Sequence, residues 1–286
     1  MSNSTQINQD WDIVVKPKSS FFQLNLKDVW AYKDLIALMT KRDITAVYKQ
    51  TVLGPVWMIV QPLFTTAIYT FTFSATAKIS TDNIPPVLFY LMGQTFWTYF
   101  ADSLNKTSNT FITNAGVFGK VYFPRLVVPI SIIFSNLVKL GIQTGLLLLV
   151  YFYFYFFEKS FSPNIFVLLI PFLIAALGIF GLSLGIIFSS LTTKYRDFTF
   201  LLGFGVQLIM FFSCVVFPLS IYSERVKNIL LFNPIVAIME ATRFALTGHG
   251  TLDAIKLLIA FFCIAITFLL GILMFNRTEK SFMDTV

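Results

Sequence analysis

Charge is what this sequence has least of. Asp, Glu, Lys and Arg make up 12% of its 286 residues, while 56% are hydrophobic and 34 are Phe. Soluble domains average about 25% charged, and so little polar surface cannot cover a chain of this size in water. Histidine occurs once, at His249, which excludes a multi-histidine metal site within the chain. The two cysteines, Cys214 and Cys263, lie inside apolar runs and read as small core residues, so neither a disulfide framework nor a metal site is expected. A nucleotide-binding loop is missing too. The stretch GVFGK (Gly116–Lys120) has too few residues between its glycines for a Walker A motif, and Val121 stands where Ser or Thr is needed; it reads as a turn after a short helix. The apolar centres of the long runs hold essentially no carboxylate, which argues against a proton relay. No catalytic residue and no cofactor of the chain's own are expected. The first 50 residues are polar, without a short apolar core before a small-residue cleavage site, so no signal peptide is expected. A net charge of +7 suggests nucleic acid in a soluble protein. In so apolar a chain basic residues instead orient membrane spans, and no nucleic-acid partner is expected.

What the sequence has is long apolar runs, several above the ~18 residues that mark a transmembrane helix. They predict an all-α polytopic membrane protein with six spans: Val56–Thr76, Val87–Leu104, Leu126–Phe157, Ile165–Leu191, Phe198–Pro218 and Ala254–Phe275. The third, at roughly 48 Å of helix, exceeds a hydrocarbon core of about 30 Å; it must tilt, break near Pro129 or project from the membrane. An even number of spans puts both termini on one side. With that side cytoplasmic, most Lys and Arg fall inside, as the positive-inside rule requires. The organisation is then a cytoplasmic N-terminal segment (1–55), a six-span domain (56–275) and a cytoplasmic tail (276–286). The aromatic stretch Tyr151–Phe157 suits a belt at the outer interface.

Between Leu26 and Thr51, Val29, Tyr32, Ile36 and Met39 recur at three- and four-residue steps, while Lys27, Asp34 and Lys41 mark another face. This predicts an interfacial helix, apolar side in the headgroup boundary and Trp30 at interfacial depth. Gly54-Pro55 ends it, because proline cannot continue a helix interior but fits the first turn of the next. The helix is either a simple anchor or a cytoplasmic collar that meets a partner.

Arg42, Asp43, Tyr48, Lys49, Gln50, Leu53, Gly54, Trp57, Pro62 and Leu63, in RDITAVYKQTVLGPVWMIVQPL, resemble the approach to the first span in permease subunits of ABC-2-type exporters of bacterial polysaccharides, the O-antigen, capsule and teichoic acid group. The resemblance continues through KYRDF (Lys194–Phe198), FNPIVAIMEATRFAL (Phe232–Leu246) and the tail EKSFMDTV, and covers most of the chain in order. One departure is SCVVFP (Ser213–Pro218), where the family more often has Ser-Pro; a break in the fifth span is then elsewhere or at Pro218. The resemblance implies a homodimer working with two cytoplasmic ATPase subunits that hold ATP and Mg2+. Its cargo would be a lipid-linked polysaccharide, O-antigen first, carried outward across the bacterial cytoplasmic membrane. It also places a coupling helix in the loop after the second span, and external gate helices between the fifth and sixth.

A sugar chain needs hydroxyl partners and flat surfaces for its rings. Trp57, Gln61, Thr65 and Tyr69 lie at four-residue steps on the first span, and Phe200, Phe204, Gln207 and Phe211 follow a similar rhythm on the fifth. Both stripes mix amide and aromatic groups and are the expected channel lining; the other reading is interhelical glue and ordinary packing. Lys139, inside the third span, either contacts a phosphate on the substrate or makes a structural contact. For coupling, Asn105, Lys106, Asn109, Phe111 and Asn114 are expected on a short helix parallel to the membrane, with Arg196 and Asp197 in a supporting turn, unless that turn merely caps the neighbouring spans. The external segment Ser220–Asp253 carries Asn233, Pro234 at a helix start, and Glu240 and Arg243 placed to pair on an exposed surface. It is either a gate or a fixed lid. A membrane-embedded glycosyltransferase would need an acidic metal-binding motif, which is not seen. A small-molecule ABC exporter would differ only in cavity size and partner.

Overall fold

The computed structural model describes residues 26–49, 54–118, 120–121, 123–158, 161, 164–250 and 252–283, and all regular structure among them is helical. The helices are α1 (Leu26–Ala31), α2 (Lys33–Lys49), α3 (Trp57–Tyr69), α4 (Pro86–Ser108), α5 (Thr110–Thr113), α6 (Ala115–Phe118), α7 (Val127–Phe157), α8 (Ile170–Lys194), α9 (Phe198–Phe211), α10 (Glu224–Leu230), α11 (Pro234–Thr247) and α12 (Ala254–Met283). A 3-10 turn at Gly54–Val56 leads into α3, and a π-helical stretch, Thr70–Thr76, extends it. Four segments are long and apolar enough to cross a membrane: Gly54–Thr76, Val127–Phe157, Ile165–Lys194 and Ala254–Asn276. The bent pair α10–α11, turning through 103°, would make a fifth if counted as one span.

The second expected span is α4, 23 residues long and the hub of the bundle. Most of its side chains are buried, among them Leu88, Phe89, Tyr90, Leu91 and Phe100. It packs on α7 and α8, and more lightly on α3, α9 and α11. The α4–α8 contact is built on glycine. A Cβ at Gly185 would lie 2.5 Å from the Thr107 Cβ, and one at Gly181 would lie 3.0 Å from the Phe100 carbonyl oxygen. Small residues let helix backbones approach closely where lipid gives no hydrophobic push. Side-chain hydrogen bonds fasten the same interface: the Thr192 hydroxyl donates to the Ser108 carbonyl at 2.6 Å.

The amphipathic prediction holds for α1 and α2, but not its destination. Val29, Ile36 and Met39 are buried against Phe123, Val127, Val128 and Ile132 at the start of α7, not turned toward headgroups. The Thr40 hydroxyl adds a bond to the Ser131 carbonyl at 3.3 Å. What remains for an interface is Trp30 and Leu38, 72% and 63% exposed, with Val47 less so. Gly54 makes the corner with φ +48°, a left-handed value that glycine tolerates at little steric cost. Met39→Asp, which sets a carboxylate against this apolar seat, is expected to release α2 from α7 and speed amide exchange across Lys33–Lys49 while leaving α8 and α12 protected.

α7 is a single unbroken helix, and Pro129 sits in its first turn where no intrahelical N–H is lost. α9 stops at Phe211, short of the predicted Pro218. The chain turns at Cys214, a buried non-glycine residue with φ +53°. At 14 residues, roughly 21 Å, α9 alone is shorter than a ~30 Å apolar layer.

α11 corrects a second expectation. Glu240 and Arg243 do pair, Nη1 to Oε1 at 3.0 Å, but their side chains are only 4% and 3% exposed. The Arg243 guanidinium also lies 3.9 Å from the centroid of the Phe89 ring on α4 and donates to the Val215 carbonyl at 3.3 Å. The pair ties α11 into the bundle. Asp253 caps α12: its carboxylate accepts from the backbone N–H of Ile255 and Lys256, and the Lys256 bond above all holds its pKa below the ordinary value.

Candidate functional site

The last two turns of α4 turn polar. Along the helix Gln94, Thr98, Asp102 and Asn105 recur at three- and four-residue steps, and all are partly exposed on a helix most of whose side chains are buried. The Gln94 amide donates to the Thr98 hydroxyl at 3.2 Å. At the foot of this stripe, where α2, α3, α5 and α7 converge, a cavity of about 710 Å³ opens. Its wall includes Arg42 and Asp43 from α2, Trp57 and Gln61 from α3, Asn105 and Lys106 from α4, Asn109, Asn114 beyond α5, and Ser135 and Lys139 from α7. The size falls in the range of small-ligand pockets, roughly 300–1,000 Å³.

Two ion pairs stand in it. Arg42 holds Asp43 at 2.9 Å, and Lys139 holds Asp102 at 2.8 Å. Lys139 is thus partnered by a carboxylate of α4. Nothing local in the sequence points to Asp102, which lies near the end of the stretch Val87–Leu104. Lys106 donates instead to a neutral acceptor, Asn136 Oδ1, at 2.8 Å, and Asn136 donates in turn to the Ser103 hydroxyl at 3.3 Å. Asn136 is 1% exposed, so the chain of bonds crosses a closed α4–α7 interface.

The cavity gathers residues that the sequence assigns to three different tasks. Of the expected channel lining, Trp57, Gln61 and Lys139 meet here. Thr65 lies one turn further along and bonds the Gln61 carbonyl; Tyr69 is higher still, half-buried beside Phe73 and Tyr90 with its hydroxyl 3.8 Å from the Met210 sulfur of α9. Phe200, Phe204, Gln207 and Phe211 form an exposed face of α9 and do not reach the cavity; Phe200 is 81% exposed. Of the coupling residues, Asn105 and Lys106 belong to α4 itself and not to a separate helix, because α4 runs on to Ser108. Two short turns, α5 and α6, stand where one longer helix was expected. Phe111 is buried, stacked on Phe275 of α12 at 5.3 Å. Asn109 accepts from the Thr199 hydroxyl at 3.2 Å, which links the cavity floor to the start of α9. Arg196 and Asp197 are exposed in the turn between α8 and α9, apart from the cavity. Tyr48 and Lys49 end α2, and Gln50 lies outside the described residues. At the other end of the bundle Asn233 caps α11, accepting from the Ile235 N–H at 3.1 Å and donating to the Ser213 hydroxyl at 3.2 Å, with Pro234 at the first helical position. Among the described residues no group of His, Cys, Asp and Glu is placed to hold a metal ion.

Several long apolar helices define a multi-pass membrane protein, and charged and amide side chains stand in the cavity beside two of them. The family model for ABC-2 type transporters matches residues 34–247, and the chain belongs to that family. It is accordingly the membrane subunit of a transporter, with ATP hydrolysis in a separate subunit. It is 28% identical over 254 residues to the O-antigen export system permease protein RfbA of Klebsiella pneumoniae, a match covering 88% of this chain and 94% of that one. A Myxococcus xanthus protein of the same name is 24% identical over 231 residues, covering 80% and 86%. The polysialic acid transport protein KpsM of Escherichia coli is 23% identical over 249 residues, covering 85% and 93%.

Proposed function

We propose that this chain is the permease of an ATP-driven exporter that moves a lipid-linked polysaccharide, O-antigen first, outward across the bacterial cytoplasmic membrane. It works as a homodimer with two cytoplasmic ATPase subunits, which bind ATP and Mg2+. In this reading α3, α4, α7, α8, α9 and α12 are six spans with both termini cytoplasmic. Residues 1–55 form the cytoplasmic N-terminal segment, 56–275 the transmembrane domain and 276–286 the tail. α9, extended by the chain beyond Phe211, completes the fifth span, and α10–α11 form a lid dipping into the outer leaflet.

The observation that carries the reading is the polar face of α4, which runs from the cavity toward Gln94 among helices of largely apolar composition. Buried amides and hydroxyls in lipid need partners, and sugar hydroxyls supply them. The uncovered faces of α3 and α9, with Phe64 67% and Phe204 61% exposed, leave room for a second copy to close a path around the polymer. Names among the relatives point the same way: three are O-antigen export permeases, and the polysialic acid transport protein KpsM favours an acidic polymer as the second reading. The cavity foot, where Asn109 meets Thr199 across α4 and α9, is where a push from the ATPase enters.

Deleting the gene in its host and locating the polymer tests this. The expected outcome is polymer made in normal composition but retained inside the cell. Absence of any polymer would assign the chain to synthesis, and undisturbed surface display would remove it from export.

A further inference from the structure

We infer that Lys106 is an anion-binding residue that receives the phosphate-ester group of an amphipathic substrate, a lipid-linked sugar phosphate or diphosphate. The inference rests on the export reading above and locates the headgroup within the cavity.

The charge pattern carries it. Of the cations facing the cavity, Arg42 is neutralised by Asp43 and Lys139 by Asp102. Lys106 makes no ion pair among the described residues. Its natural partner is present: Asp102 lies one turn before it on α4, the spacing at which an acid and a following lysine attract each other on a helix. The Asp102 carboxylate turns instead to Lys139 of α7. Lys106 is held by the amide oxygen of Asn136, a neutral acceptor that fixes the ammonium in place without cancelling its charge. An ammonium has three donors; one is used here, and the residue lines the open volume. An oriented cation with its charge intact, at the edge of a low-dielectric region, is a site for an anion and not for a sugar hydroxyl.

The rest of the wall sets the ligand's other parts. Gln61 offers an amide for a sugar, while Trp57, Met58 and Val128 make an apolar side for a hydrocarbon chain. About 710 Å³ takes a headgroup with its first sugar and not a polymer. The ligand defined is therefore a phosphate ester with a tail, and an inorganic phosphate would leave most of the cavity unfilled.

The test uses the full-length permease purified in a neutral detergent, with farnesyl diphosphate as the probe in calorimetric titration. Farnesyl diphosphate is expected to bind, with Lys106→Gln weakening it at least tenfold and Lys106→Arg holding it within threefold. Asp102→Asn is the sharper variant. It releases Lys139 and adds a second bare cation, so it is expected to tighten the probe several-fold, whereas a merely structural ion pair would only loosen binding when broken. Melting curves for each variant confirm the fold. Unchanged affinity in Lys106→Gln, or weaker binding in Asp102→Asn, overturns the inference. So does equal affinity for farnesol, which would assign recognition to the tail. Pyrophosphate alone binding as well as the probe would make this a free-phosphate site, and short-chain phosphatidylglycerol doing so would make it a bulk-lipid site; either result overturns the substrate assignment. If deletion of the gene retains polymer inside while Lys106→Gln leaves probe binding intact, this inference fails and the export reading stands. If deletion leaves surface polymer untouched, the export reading itself has failed, whatever the probe does.

Discussion

Valine at position 185 is expected to leave no folded protein in the membrane. The Cα of Gly185 faces α4 so closely that even a single added carbon would sit 2.5 Å from the Thr107 Cβ and 3.0 Å from the Leu104 carbonyl oxygen. Neither neighbour can swing aside: one atom is backbone and the other is a Cβ fixed to it. Relief requires the helices to separate, which would also break the Thr192–Ser108 bond and open the contacts at Gly181. Overpacking by one methylene in a well-packed core already costs about 1–3 kcal/mol, so Gly185→Ala is expected to lower the melting temperature and Gly185→Val to abolish a monodisperse peak in size-exclusion chromatography. Gly141→Ala is the control. Nothing lies within 4 Å of a Cβ at Gly141, and alanine there is expected to be neutral or slightly stabilising. Equal behaviour of the two sites would refute the close α4–α8 contact.

Arg243→Ala is expected to have the next largest effect. It removes the guanidinium from Glu240, which is only 3% exposed, and strips Phe89 and the Val215 carbonyl of their contacts. Breaking one side of a buried ion pair costs about 3–5 kcal/mol, and the cation–π contact adds about 2 kcal/mol where it is desolvated. The double variant Glu240→Gln/Arg243→Met, which takes both charges away and keeps volume, is expected to recover most of that loss. Urea or thermal unfolding of the three proteins in detergent measures it. Were Arg243→Ala alone to match the parent, this pair would not be what holds α11 in the bundle.

How far the sequence foretold these features varies with what each one depends on. Hydropathy and the three- and four-residue rhythm of Val29, Ile36 and Met39 were enough for the helices, because both are local properties. They did not reveal that this face seats on Val127 and Val128, since an apolar stripe reads the same toward lipid as toward protein. The same blindness made Glu240 and Arg243 look like surface residues: their spacing fixes the pair, but burial is decided by Phe89 and Val215, far off in the chain. Lys139 stood out in the sequence and its partner did not, because Asp102 and Lys139 meet only when α4 and α7 pack. A signal was there to be used. The polar residues Gln94, Thr98, Asp102 and Asn105 keep helical time along α4, a face ill suited to lipid.

The central claim is that the polymer passes along the polar face of α4, walled by α3 and α9, while another subunit supplies the power. A photo-crosslinking amino acid placed in turn at Gln61, Gln94 and Phe204, in cells whose partner ATPase is arrested with substrate engaged, tests it most directly. The account predicts covalent adducts to polysaccharide at all three positions, and only lipid adducts at Phe262 on the exposed face of α12. Adducts to polysaccharide at Phe262, with none at Gln61 and Gln94, would contradict it.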